Sequence, residues 1–594
     1  MSMRMLKARP TMRNSRAALI ASVSVFLLIG VSGCGARTTS ATNAAHPESG
    51  HPTLGGGTLT YALPPQTNLT WFLPMMSASS DSNYNIEVAE QMYKPLIWIN
   101  GQYQIDWKSS LAKKITYNSA GTIYHIFLNP KWHWSNGQPV TSQDVLFSWN
   151  VIRAASAPNA PDPWPFVGEG TEDIPTGFQS VVANGRYEVT VTLKHPANQQ
   201  WFIYNGLTQI TPLPAAVLDI HKNIRNEIKY LGDNATNPVF NHVVDGPFQM
   251  VSGTPNQEWV MVPNPHYDGH KSTVKKLIFT YEGSSAAEFA GLKTGAINYG
   301  YLDLGQYGSR QALMSMGDVI TPEYTLGVYY TDLNMFPGSP TRAIFDRLYI
   351  RQAMQMGIDN SAIDQAIYHG FAPPEDGPIP SIPLTKFYSP ALKTNPYPYN
   401  PAKGKALLEA HGWHEVHGIM TKGDRQLKFQ MLYVSGTLAG QDEAILMKQD
   451  FSKEGIDITL KPMPFSTFIS VTSNPKSPKQ WQMGTGLEWT YNGPGFYPSG
   501  GELFSTGAPS GFGYSNSEED ALIRATHLPY ATTDETMQHF YAYENFTAAQ
   551  VPFLWGTNVA TLAVHAPDLH DSVKYADAAV GFPQIQYWWI SPSD

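Results

Sequence analysis

Four residues near the middle of the chain invite a metal ion. His411, His414, Glu415 and His417 fall in the run His411-Gly412-Trp413-His414-Glu415-Val416-His417, and imidazole with carboxylate is a donor set that suits zinc or nickel. A helical zinc pair needs histidines four apart on one face, as in HExxH. Here His411 and His414 stand three apart, and Gly412 ends a helix between them. Histidine at a helix C-terminus is favoured by the dipole, so the run is read as a helix end and no metal is expected. No G-x-S-x-G elbow announces a serine hydrolase. Gly55-Gly56-Gly57 lacks the G-x-x-x-x-G-K-[ST] pattern of a phosphate loop and follows no strand. No catalytic residue and no cofactor are assigned, and the chain is not read as an enzyme.

The single cysteine, Cys34, is more telling. One cysteine in 594 residues excludes a disulfide framework, a CxxC redox pair and any multi-cysteine metal site. Upstream of it, Arg4, Lys7, Arg9, Arg13 and Arg16 form a basic stretch without acids, followed by the uncharged segment Ala17 to Gly33. That layout is a secretory signal, too short and wrongly flanked for a stable membrane span. Val31-Ser32-Gly33-Cys34 resembles the lipobox of bacterial lipoproteins. The resemblance implies cleavage before Cys34 and acylation of its thiol, and two or three acyl chains anchor a protein stably where one does not. Cleavage removes five of the 39 basic residues, leaving 34 against 48 acidic ones and a net charge of −14. An acidic body argues against a nucleic-acid binder that relies on phosphate neutralisation. Residues 34–56, rich in Ala, Thr, Ser, Asn, Pro and Gly, read as a flexible linker from lipid to body.

The body reads as mixed α/β. Strands are expected at 58–63, 123–128 and 187–193, the last cleanly alternating, and helices at 347–358, 401–412, 440–455 and 535–549. Residues 85–99 begin with helical spacing and end as an extended apolar run after Pro95. Thr141 suits a helix N-cap, and Asp144 three residues later suits the reciprocal half of a capping box rather than a catalytic acid. Trp132 and Trp134 flank the preceding Asn136-Gly137 turn and are read as packing residues.

The segment from Leu128 to Val145 contains Trp134-Ser135-Asn136-Gly137-Gln138-Pro139-Val140-Thr141-Ser142-Gln143-Asp144-Val145. It resembles the signature of family 5 extracytoplasmic solute-binding proteins, the peptide and nickel receptors of ABC importers. Asn136 stands where aspartate is usual, which preserves the turn. Further matches follow in order: Asp245-Gly246-Pro247-Phe248, Asn264-Pro265-His266-Tyr267, Ile350-Arg351-Gln352-Ala353 with Gly357-Ile358-Asp359, Ala406-Leu407-Leu408 with Gly412-Trp413, and Phe512-Gly513-Tyr514-Ser515-Asn516.

The resemblance implies a two-lobed clamp of the periplasmic-binding-protein type II class, with mixed sheets flanked by helices and an extra subdomain in lobe I. The expected division is signal peptide 1–33, linker 34–56, lobe I 57–322, lobe II 323–555 and a return to lobe I over 556–594. It implies a monomeric extracytoplasmic lipoprotein that captures a solute, here read as a peptide, and passes it to an ABC permease in the cell membrane. In peptide-binding relatives an aspartate of a W-x-x-D-Y-x-x-P stretch meets the peptide amine. The matching stretch is Gly486 to Pro494, where Thr490 takes the aspartate's place and Glu488, two residues earlier, is the substitute carboxylate. Trp71, Phe72, Trp489 and Tyr491 are candidates for stacking on sugar rings or touching peptide side chains, and Asn492 completes the set. An oligosaccharide receptor, or a sensor or enzyme on the same scaffold, remains the alternative.

Overall fold

The computed structural model describes residues 56–168, 174–508 and 511–592. The signal segment 1–33, the Cys34 lipidation site and all of the linker but Gly56 lie outside the described residues. No helix of the described residues is long and apolar enough to cross a membrane.

Two sheets carry the architecture. The seven-stranded sheet runs Val319–Glu323, Thr561–His565, Tyr299–Tyr301, Thr58–Ala62, Lys276–Thr280, Glu258–Pro263 and Phe248–Thr254 in spatial order. The five-stranded sheet runs Asp457–Met463, Lys428–Val434, Met483–Thr490, Gly327–Leu333 and Leu554–Trp555. The chain leaves the first sheet at Glu323 and enters the second at Gly327; it leaves the second at Trp555 and rejoins the first at Thr561. A separate antiparallel sheet of four strands, Ala112–Tyr117, Ile123–Leu128, Glu188–Leu193 and Phe178–Ala183, carries the helix Ser142–Ala155 against it. This is the mixed α/β clamp expected, with the four-stranded layer as the additional subdomain.

Local chemistry explains most elements. Glu188–Leu193 alternates buried Val189, Val191 and Leu193 with half-exposed partners, as period two demands of a strand with one wet face. The helix Pro401–Ala410 opens on an Asn400 cap with proline in its first turn, and Gly412, at φ +82°, turns the chain away after it. Asp144 accepts the Thr141 backbone N–H at 2.7 Å and the Ala215 N–H at 2.9 Å, so its carboxylate caps two helices.

Residues 85–99 begin in a helix, Asn83–Met92, and leave it before Pro95; the run from Pro95 to Ile99 joins no sheet beyond a single bridge from Ile99 to Ile105. Its backbone groups are satisfied instead by the loop that follows, with Leu111 N–H donating to Pro95 O and Trp98 N–H to Ser110 Oγ. The helix expected from 440 starts earlier, at Leu438, because Asp303 of another part of the chain accepts the N–H groups of Leu438 (2.6 Å) and Ala439 (3.1 Å). A cap supplied from 135 residues away leaves no local signature.

Candidate functional site

Between the two sheets lies a cavity of about 420 Å³, within the size range of small-molecule sites. One wall comes from the seven-stranded sheet and the helix Asn83–Met92, contributing Tyr61, Tyr299, Tyr301, Tyr84 and Glu87. Ser82 caps that helix by accepting the Asn85 N–H, which sets Asn83, Tyr84 and Glu87 on the turn facing the cavity. The other wall is the strand Met483–Thr490 with Tyr329, Tyr330 and the helix Leu438–Lys453.

The strand Met483–Thr490 is paired along most of its length to Gly327–Leu333. On its other side, the ladder to Lys428–Val434 covers only Met483 to Thr485. From Gly486 to Thr490 no described strand occupies that side, and all five residues line the cavity. An open strand edge presents unsatisfied N–H and C=O groups, and another extended backbone satisfies them.

Carboxylates are unusually frequent here, and cations are missing. Asp81, Glu87, Glu288, Asp303, Glu323, Glu443 and Glu488 line the cavity, whereas no described lysine, arginine or histidine does. Some of these acids have structural duties. Glu288 accepts the Tyr301 N–H at 2.6 Å, Asp303 caps the Leu438 helix, and Glu443 accepts the Tyr368 hydroxyl at 2.6 Å. Others are less committed. Burial pushes the Glu87 carboxyl up to about 8 and Asp81 to about 7. Burial lifts Glu323 to about 7, against a hydrogen bond from the Tyr299 hydroxyl at 3.2 Å. Burial also raises Glu488, opposed by the hydroxyls of Thr325 and, at 3.1 Å, Thr490.

Polar contacts join the walls. Asn83 Nδ2 donates to Thr490 Oγ1 at 2.8 Å, and Asn492 Nδ2 to Asn83 Oδ1 at 3.2 Å. Ser435 Oγ donates to Gln66 Oε1 at 2.6 Å, and the Asn68 N–H to Ser466 Oγ at 3.2 Å. These hydrogen bonds tie the two walls together beside the cavity.

The residues expected to touch solute divide. Glu488, Trp489, Thr490 and Asn492 come together on the cavity wall. Thr490 does not act alone: its hydroxyl is tied to both Asn83 and Glu488, so the carboxylate two residues upstream lies within its reach. Tyr491 points away, fully buried, its hydroxyl donating to Pro378 O at 2.5 Å. Trp71 and Phe72 are not on this wall. Trp71 is 1% exposed, donates from Nε1 to Met75 O at 2.9 Å and meets Trp164 edge-on at 5.5 Å. Phe72 is buried beside Met92 and Ala235. The acids Asp81, Glu87, Glu323 and Glu443 were not anticipated. A usable signal existed for Glu87, which shares the i, i+3, i+4, i+7 face of Tyr84, Val88 and Gln91.

The histidine run is dispersed. His411 stacks on Tyr349 at 3.8 Å, Glu415 pairs with Lys405, and His414 and His417 belong to a small hairpin beyond the helix end. Among the described residues no group of three or more His, Cys, Asp or Glu is arranged to hold a metal ion.

Comparison with known proteins agrees with this geometry. Residues 106–508 match the sequence model of "Bacterial extracellular solute-binding proteins, family 5 Middle". The chain is 22% identical over 593 residues to the oligopeptide-binding protein AppA of Bacillus subtilis, covering 98% of this chain and 99% of that one. The structure of B. subtilis AppA in complex with a nonapeptide superimposes with a TM-score of 0.77 at 18% identity, covering 91% of this chain and all of that one. DppA of Helicobacter pylori, in complex with the peptide STSA, gives 0.73 at 18% identity over 91% of this chain and 99% of its own. With more than half of its length matched by the family's sequence model, the chain belongs to family 5 of the bacterial extracellular solute-binding proteins.

Proposed function

We propose that this protein is an extracytoplasmic receptor that closes on an oligopeptide and delivers it to an ABC importer. The observation that carries the reading is the open strand edge from Gly486 to Thr490 inside the interlobe cavity. An extended peptide adds to that edge by backbone hydrogen bonds, while Trp489 and the tyrosines of the facing wall take its side chains. The names of its relatives, oligopeptide-binding AppA and a DppA bound to a peptide, support the same reading. Binding and release suffice for this role, and the receptor performs no chemistry on the solute.

The remaining parts follow from the sequence. Residues 1–33 are removed as a signal, lipidated Cys34 holds the receptor at the outer face of the cell membrane, and residues 34–56 tether a monomeric body. Lobe I comprises 57–322 and 556–594, lobe II 323–555, and the short crossings at 324–326 and 556–560 are the hinges. Hinge closure of this kind is driven by contacts the solute makes only in the closed state.

Native mass spectrometry of the intact, freshly purified chain tests the reading. Adducts spaced as short peptides are expected. Sugar adducts, or turnover of a supplied peptide or glycan by the protein alone, would replace the receptor for peptides with one of the other two readings.

A further inference from the structure

The peptide reading leaves open which peptides are taken, and the cavity's charge narrows the choice. Its carboxylates come from both walls: Asp81, Glu87 and, at the end of a strand of the seven-stranded sheet, Glu323 on one side, Glu443 and Glu488 on the other. Glu87 is 4% exposed and lines the cavity; the Tyr61 hydroxyl favours its charged form against burial, while Oε1 has no hydrogen-bond partner. A buried carboxylate oxygen without a donor is costly, and no described lysine, arginine or histidine lines the cavity to supply one. A cationic solute can supply that donor.

The surrounding rings favour the same kind of guest. Tyr61, Tyr299 and Tyr301 line the wall beside Glu87, with Tyr61 and Tyr299 centroids 4.6 Å apart and Tyr301 edge-on to Tyr61 at 6.3 Å. Aromatic faces attract ammonium and guanidinium groups and give nothing to a carboxylate. A solute carboxylate brought into this space would find no described lysine, arginine or histidine to pair with.

We propose that the cleft selects lysine- and arginine-rich peptides, seating their cationic side chains between the carboxylates of the two walls, and has no seat for a peptide's C-terminal carboxylate. The proposal rests on the peptide reading above. A cation placed among these buried carboxyls draws protons off them and is held by the negative charge that results.

The test is a titration of the full chain in detergent at low ionic strength. The probes are three pentapeptides, lysine-rich, neutral and glutamate-rich, together with the lysine-rich peptide amidated at its C-terminus and with spermidine. The lysine-rich peptide is expected to bind about tenfold or more tightly than the neutral one, a difference one charged contact readily supplies. The glutamate-rich peptide should not bind, amidation should cost nothing, and added salt should weaken the lysine-rich peptide most. Glu87→Gln and Glu323→Gln, each keeping the side chain's shape, should shrink the preference for the lysine-rich over the neutral peptide about threefold or more. Equal affinity for the three peptides, loss of binding on amidation, or an unchanged preference in both variants overturns the proposal and leaves the peptide reading standing. Binding of spermidine with no peptide of any charge overturns the peptide reading and the proposal with it. Silence from all five probes does the same.

Discussion

The Asn83 side-chain amide donates to the Thr490 hydroxyl at 2.8 Å, and that hydroxyl in turn donates to Glu488. Asn83 opens a helix beside the seven-stranded sheet, and Thr490 ends a strand of the five-stranded sheet, 407 residues later. This hydrogen bond therefore acts as a latch between the two walls and orients a carboxylate on one of them.

If the latch favours closure, Asn83→Ala should weaken solute binding and spare the fold. A net hydrogen bond contributes about 0.5–1.5 kcal/mol, which corresponds to a two- to tenfold rise in Kd. Small-angle scattering of the solute-free variant should show a more open particle than the parent. An unchanged scattering curve and Kd would remove Asn83 from the closing machinery.

Two tryptophans separate binding from folding. Trp489 is half-buried on the cavity wall, so Trp489→Ala should lower solute affinity while the melting temperature of the empty protein barely moves. Trp71 is core, so Trp71→Ala should cost about 3–5 kcal/mol of stability, and any loss of binding should track the unfolded fraction. Denaturant titration beside calorimetry reads both. Reversal of the two outcomes would place the solute beside Trp71 instead.

The raised carboxyls make the cleft sensitive to pH. Glu87 sits at about 8 in the folded protein against a usual 4.5, so the folded state holds a proton that the unfolded state has lost between those values. Its contribution to stability is therefore complete below pH 4.5 and lost as pH climbs through 8. Glu323 and Asp81, both at about 7, act in the same direction over a narrower window. Melting temperature of the empty chain should fall from pH 5 to pH 9. Glu87→Gln should flatten the upper part of that decline. A cationic solute should release protons on binding near pH 7, seen as a binding enthalpy that changes with the buffer's ionisation heat.

Asp144 offers a control remote from the cavity. Its carboxylate accepts the N–H groups of Thr141 and Ala215 and caps two helices at once. Asp144→Ala should cost about 1–2 kcal/mol, the usual range for a lost cap, and should leave solute affinity as it was. A fall in affinity without a fall in stability would give this aspartate a role in binding that its position does not provide.

What could be read along the chain was local. The alternation of Glu188–Leu193, the Asn400-Pro401 helix start, the Gly412 stop and the Thr141–Asp144 capping box all depend on neighbours within a few residues, and all appear where the pattern puts them. Ordered motifs from Trp134 to Asn516 carried the family and with it the clamp. Contacts between distant segments were not legible. Asp303 starts the Leu438 helix from across the cleft, and the Pro95–Ile99 run spends its backbone hydrogen bonds on a loop rather than a sheet.

The same divide runs through the binding wall. The resemblance to the family's W-x-x-D-Y-x-x-P stretch singled out Glu488, Trp489 and Thr490, because a motif is a property of one segment. Whether an aromatic faces core or cavity is not such a property. Trp71 and Trp489 have the same side chain, yet one is sealed against Trp164 and the other borders an open strand edge. Which edge stays open depends on the ladder to Lys428–Val434 stopping at Thr485. The gathering of acids from both walls around one space likewise depends on how the sheets close. Chemistry that belongs to one segment is written in that segment, and chemistry made by two walls exists only once they meet.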